Sequence, residues 1–188
     1  MTGQDTIISR PLPRRPETGL LAWLATIGYI SAEYSPDATL MLRVTPGSAA
    51  DALVWNASAS WAQVSEQVSD LPSLSRALSD LWKAVEAKHR IFKTLEAAAR
   101  KPALYAESEW VDRETDDTLR WLCDLAGAAF GTEWALILIY RPVETQDLRA
   151  QARLVARKNA VQIGGSGASL RDACIALYRH AAPNYFSS

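Results

Sequence analysis

Cysteine and histidine are both scarce in this chain, long apolar runs are missing, and neither sign of charge dominates. The two cysteines, Cys123 and Cys174, sit among apolar neighbours and lack the paired spacing of a disulfide framework or a zinc knuckle. They read as two buried thiols in a reducing compartment, and a cytoplasmic location is expected. The longest apolar run, Trp134 to Tyr140, falls well short of the roughly 20 residues that cross a bilayer and suits a buried strand. Lys and Arg total 20 against 21 Asp and Glu, a formal net charge of −1. That balance excludes a surface that is electropositive all over for nucleic acid or anionic lipid, and leaves only a local patch for such a role. Met1 to Pro16 carries Arg10, Arg14, Arg15 and three prolines with no apolar stretch behind them. It reads as a flexible Pro/Arg-rich arm over 1–17 rather than a secretory signal.

What the chain does have is 48% apolar residues, enough for one full core or two small ones, and a faint echo of itself. Shifted by 96 positions, Thr39 to Val85 aligns without a gap on Ala135 to Ala181. Identities fall at Leu40/Leu136, Leu42/Leu138, Pro46/Pro142, Asp51/Asp147, Ser73/Ser169, Leu74/Leu170, Ala77/Ala173 and Leu81/Leu177. Upstream, Leu21, Trp23 and Leu24 match Leu119, Trp121 and Leu122. A duplicated unit follows from this pattern.

Each unit reads as helix, three strands, helix. Thr18 is placed to cap a helix with Leu20, Leu21, Trp23, Leu24, Ile27 and Ile30 at three-and-four spacing, which Ser35-Pro36-Asp37 ends. Strands follow over Thr39 to Thr45, Asp51 to about Gln63 and Val64 to Val68, the second alternating Trp55, Ala57, Ala59 and Trp61 with Asn56, Ser58 and Ser60. Helical spacing resumes at Leu74 and runs through Ile91, Phe92 and Leu95 to Lys101-Pro102, with a bend near His89. The second unit predicts a helix over about Glu109 to Ala129, strands over Trp134 to Arg141, Asp147 to Arg157 and Ala160 to Ile163, and a helix from Ala168 to Ala181 that Pro183 stops. The expected class is α+β, a tandem pseudo-repeat of α-β-β-β-α units with antiparallel sheets covered by helices on one face. The units are bounded at 18–101 and 102–188.

The run Gly164-Gly165-Ser166-Gly167 followed by Ser169-Leu170-Arg171-Asp172-Ala173 resembles the third strand, turn and closing helix of double-stranded-RNA-binding-like domains. The turn-and-helix segments of both halves are similar to HicB-type antitoxins as well. The resemblance is one of topology over about 65 residues in each half. It implies a β-β-β-α core and either nucleic-acid binding or the protein-partner role of an antitoxin. The lysine-rich helix start of RNA-binding members is replaced here by Ser169, Arg171 and Asp172.

Charge is uneven along the chain. Trp134 to Ser188 holds seven bases and three acids, and Pro72 to Lys101 the same, whereas Pro102 to Glu133 holds two bases and eight acids. The sharpest basic feature is Arg149, Gln151, Arg153 and Arg157 on one side of a strand, with Ala150, Ala152, Leu154 and Ala156 on the other. Such a row can track a phosphate backbone, and Lys158 and Arg171 are grouped with it as candidate nucleic-acid contacts. It equally fits a solvated sheet face. The glycine run is read as a tight turn more than an anion cradle, since it lacks the lysine of a phosphate loop.

The acids Glu107, Glu109, Asp112, Glu114, Asp116 and Asp117 gather at a helix start, where they meet the helix dipole favourably, so no metal site is assigned. No histidine partner stands near these acids, no Gly-x-Ser-x-Gly elbow follows a strand, and no catalytic residue or cofactor is assigned. Trp23 and Trp121 occupy equivalent positions and are expected in the core. Trp110, between Glu109 and Val111, is read as an exposed anchor for a protein partner. The sequence thus predicts a non-catalytic binding module, for nucleic acid through the arginine strand or, alternatively, a protein-interaction or assembly subunit. Fifteen arginines against five lysines with abundant alanine suggest a bacterial or phage gene.

Overall fold

A computed structural model describes residues 18–49, 52–89, 105–157 and 160–186. The arm at 1–17, the segment 90–104 that carries Ile91, Phe92 and Leu95, and Lys158 lie outside the described residues.

The chain is α+β: the described residues form a six-stranded antiparallel sheet and four α-helices. The elements are α1 (Gly19–Glu33), β1 (Thr39–Pro46), β2 (Leu53–Trp61), β3 (Val64–Leu71), α2 (Leu74–Lys88), α3 (Arg113–Phe130), β4 (Trp134–Tyr140), β5 (Ala150–Ala156), β6 (Val161–Gly167) and α4 (Leu170–Tyr185). Short 3-10 turns at Glu107–Glu109 and Gln146–Leu148 precede α3 and β5.

Strand order is β3-β2-β1-β4-β5-β6. The sheets expected for the two halves are therefore one sheet, joined where β1 runs antiparallel to β4. Leu42 stands opposite Leu138 at that seam, and these are the residues that the 96-residue shift superposes.

The period-two patterns explain which side is covered. Leu40, Leu42 and Val44 of β1, Trp55, Ala57, Ala59 and Trp61 of β2, Leu136 and Leu138 of β4, and Ala152 and Leu154 of β5 are all buried, and they form one cluster with the inner faces of the helices. The β4 sequence is apolar on both sides because it is a central strand, with Ile137 and Ile139 on the side away from the helices. At the core, Trp23 packs edge-on against Trp82 at 4.9 Å, and its indole N–H donates to the Leu78 carbonyl at 3.0 Å.

Side-chain caps set the helix starts. Thr18, Ser73, Asp112 and Ser169 each accept from a backbone amide of the first turn, and Ser169 forms a reciprocal capping box with Asp172. Gly131, at φ 67°, ends α3 in a conformation that side-chain-bearing residues rarely adopt.

Several boundaries differ from expectation. Pro183 lies inside α4 rather than ending it, since in the last turn it forfeits one hydrogen bond of a helix already held by its buried face. The 147–157 strand begins only at Ala150, after a 3-10 turn, and β3 runs on to Leu71 through a register shift between Trp55 and Ala57. The glycine run is not a turn: Gly164, Gly165 and Gly167 are strand residues of β6. Gly165 is glycine because α4 approaches so closely that a Cβ there would overlap the Leu177 amide and the Ala173 carbonyl. Tyr105 to Val111 packs on the first half of the chain, with the Leu20 amide donating to the Trp110 carbonyl at 2.8 Å.

Candidate nucleic-acid interface

The side of the sheet turned away from the helices is a broad surface. Cross-strand pairing arranges it in rows. One row runs Gln67, Ser58, Met41, Ile139, Gln151, Ser166, and the next runs Asn56, Arg43, Ile137, Arg153, Gly164. Arg43 and Arg153 flank Ile137 on either side of β4, about 10 Å apart at the backbone given two strand spacings. Both are exposed. Arg153 donates to the Gln151 amide oxygen at 2.9 Å, which holds its guanidinium over the sheet. A shallow depression of about 170 Å³ beside Arg43 is floored by Met41, Asn56, Ser58 and Gln67.

The electrostatics of this face follow from what it lacks. The six strands contain two carboxylates, Glu66 and Asp70. Glu66 is turned inward against α2, and Asp70 sits at the β3 irregularity with φ 60°. The regular outward positions hold arginines, amides, hydroxyls and aliphatic side chains, with no negative charge.

The five residues expected to bind nucleic acid are only partly assembled there. Arg153 lies squarely on the open face. Arg149 and Arg157 are exposed but sit just outside the two ends of β5, Arg149 donating to the Glu144 carbonyl at 3.4 Å. Arg171 is on the helical side of the molecule, where α4 brings it to Glu114 of α3 at 2.5 Å. It cannot join the same surface as Arg153. Sequence reading missed Arg43, whose outward position was visible in the alternation of Leu42, Arg43 and Val44. Its place near Arg153 depends on the β1–β4 seam, which no local pattern encodes.

Trp110 is not an exposed anchor. It is 2% exposed, it packs against Tyr105 at 5.8 Å, and its ring fills the space that a side chain at position 19 would need. The expectation failed because the acidic neighbours that suggest exposure are local, whereas Gly19, which makes room for the indole, is far off in sequence. Trp121, expected in the core beside Trp23, is instead 43% exposed on α3 and rests on Tyr178 at 4.5 Å.

The acidic run is occupied with structural work. Asp112 accepts from the amide and the hydroxyl of Thr115, Asp116 pairs with Arg120 at 2.8 Å, and Asp117 pairs with Arg113. Among the described residues, no three His, Cys, Asp or Glu side chains are grouped to hold a metal ion. Burial pushes the Cys123 and Cys174 thiols up to about 12, so both stay protonated and unreactive at neutral pH. His180 donates from Nδ1 to the Gly164 carbonyl at 2.7 Å, and His89 pairs with Glu66 at 3.0 Å. Two clefts of about 520 and 620 Å³ share Leu53 and Arg120 at one end of the sheet; neither contains a histidine.

No helix among the described residues is long and apolar enough to cross a membrane. Compared with protein-family models and with curated proteins, the chain matches none.

Proposed function

We propose that the chain is a non-catalytic binding module, a pseudo-repeat of two α-β-β-β-α units sharing one sheet, whose open face takes the sugar-phosphate backbone of a nucleic acid. The observation that carries this reading is the pairing of Arg43 and Arg153 on a surface whose regular outward positions bear no carboxylate. Half-buried Ile137 stands between the two arginines, and exposed Met41 lies in the adjoining row, giving apolar surface for sugars and base faces. No aromatic ring stands on the outward positions of this face, so affinity rests on phosphate contacts more than on stacking. Arg149 and Arg157 extend the basic track beyond the ends of β5.

The test is a fluorescence-anisotropy titration with single-stranded DNA, duplex DNA and duplex RNA, comparing the native chain with Arg43→Glu/Arg153→Glu. Micromolar binding at low salt that the double variant loses at least tenfold supports the reading. Absence of binding to all three probes, or an unaffected double variant, overturns it.

A second reading, as a protein-interaction subunit, is favoured by α1. From Gly19 to Ala32 the helix has no charged residue, and Leu21 and Tyr29 are exposed by 44% and 42%. A helix apolar on all sides normally has both sides covered.

A further inference from the structure

The depression beside Arg43 is uneven in the hydrogen-bonding groups it offers. Its polar lining is Arg43, Asn56, Ser58, Gln67 and Ser69, with exposed Met41 beside them. Strand register sets these positions. Arg43 stands opposite Asn56 where β1 meets β2, and Met41, Ser58 and Gln67 follow one another across β1, β2 and β3 in the next row. The β2–β3 pairing shifts between Trp55 and Ala57, so that Ser69 and Asp70 together stand against Asn56. At this bulge the Asp70 backbone amide donates to Asn56 Oδ1 at 3.2 Å. A backbone N–H can only donate, which fixes the orientation of the Asn56 amide: its oxygen is engaged by β3, and its NH2 is the group left to meet a ligand. The Arg43 guanidinium is donor-only as well. Ser58, Gln67 and Ser69 can donate or accept, and no carboxylate lines the depression; Asp70 lies outside the lining. The polar groups of fixed kind are all donors.

We propose that this depression receives one unpaired base of a single strand whose phosphate lies on Arg43, and that it selects bases with a carbonyl over bases with an amine at the same ring position. The inference rests on the reading of the open face as a nucleic-acid interface and adds to it a base site and a preference. The space, about 170 Å³, is sunk between three strands, where a base held inside a duplex cannot descend. Met41 gives the face of that base a polarizable apolar contact in place of an aromatic ring. Thymine and uracil bring O4 to the Asn56 donor, and guanine brings O6 and N7, whereas cytosine and adenine bring an exocyclic NH2. Donor then faces donor, and two polar groups lose water without gaining a partner.

The test uses DNA single strands of equal length made only of thymine, only of uracil or only of cytosine, titrated at one salt concentration. Equal length gives equal phosphate charge, so the ratio of dissociation constants isolates the base. The native chain is expected to bind the thymine and uracil strands about tenfold more tightly than the cytosine strand. In Asn56→Asp the Asp70 amide keeps its acceptor while the NH2 becomes an acceptor, and the preference is expected to fall to about twofold or less. Ser166→Asp, at an exposed position outside the depression, adds the same charge and is expected to keep the native ratio. Circular dichroism verifies that both variants are folded, and the native ratio stands as a test without them. Equal binding of thymine and cytosine strands by the native chain overturns this inference alone and leaves the phosphate reading of the face intact. A preference that Asn56→Asp leaves unchanged also overturns it, because the preference then comes from the strands' own stacking and flexibility. Binding of none of the strands at low salt overturns both.

Discussion

Seven tryptophans in a chain this size do not share one role, and the contrast between Trp110 and Trp121 shows what decides it. Trp110 closes the N-terminal end of α1 over Gly19 at 2% exposure, while Trp121 leans on Tyr178 with 43% of its surface in solvent. Removing a buried indole loses its transfer free energy and leaves a cavity that neighbours fill incompletely. Trp110→Ala is expected to destabilise the fold by about 3–5 kcal/mol in urea unfolding, and Trp121→Ala by about 1 kcal/mol or less. Equal losses would contradict the assigned burial. The two cysteines follow the same logic: burial raises both thiols to about 12, which makes them packing residues.

Among the elements, β3 and α2 are tied by Glu66. Its carboxylate takes a 2.8 Å bond from Lys88 and a 3.0 Å bond from His89, and these partners, Lys88 foremost, hold it below its usual 4.5. A carboxylate lowered in the folded state contributes stability above its unfolded value, and that contribution is lost as pH falls through the folded value. Native stability should therefore drop more steeply below pH 4.5 than that of Glu66→Gln, when urea midpoints are compared from neutral to acid pH. Parallel curves would remove Glu66 from the acid response.

The elements also show where the sequence was readable. Alternation such as Leu40, Leu42, Val44 and the cap Thr18 are local signals, and α1 and β1 were legible to within a few residues; the helix expected to run from Leu74 to Lys101 ends at Lys88, where His89 turns extended. β6 was cut short because glycines have no side chains to alternate; their reason, the close approach of α4 at Gly165, is a tertiary contact. In the candidate site, the Arg149 to Arg157 row was legible as a parity pattern. The absence of Arg171 from that face and the presence of Arg43 were not, since both depend on which strands and helices become neighbours.

At the scale of the whole molecule, a net charge of −1 conceals a division of labour. Acids are gathered around α3, where they cap the helix and pair with Arg113, Arg120 and Arg171. The regular outward positions of the sheet are left without negative charge. Such a surface attracts a polyanion locally while the chain as a whole remains near neutrality. The most direct test of this account is the salt dependence of single-strand binding, measured for the native chain and for Arg43→Gln/Arg153→Gln. Each arginine that neutralises one phosphate contributes about 0.7 to the slope of log affinity against log salt. The account predicts a double variant whose slope is shallower by about 1.4; an unchanged slope would show that these two arginines meet no phosphate.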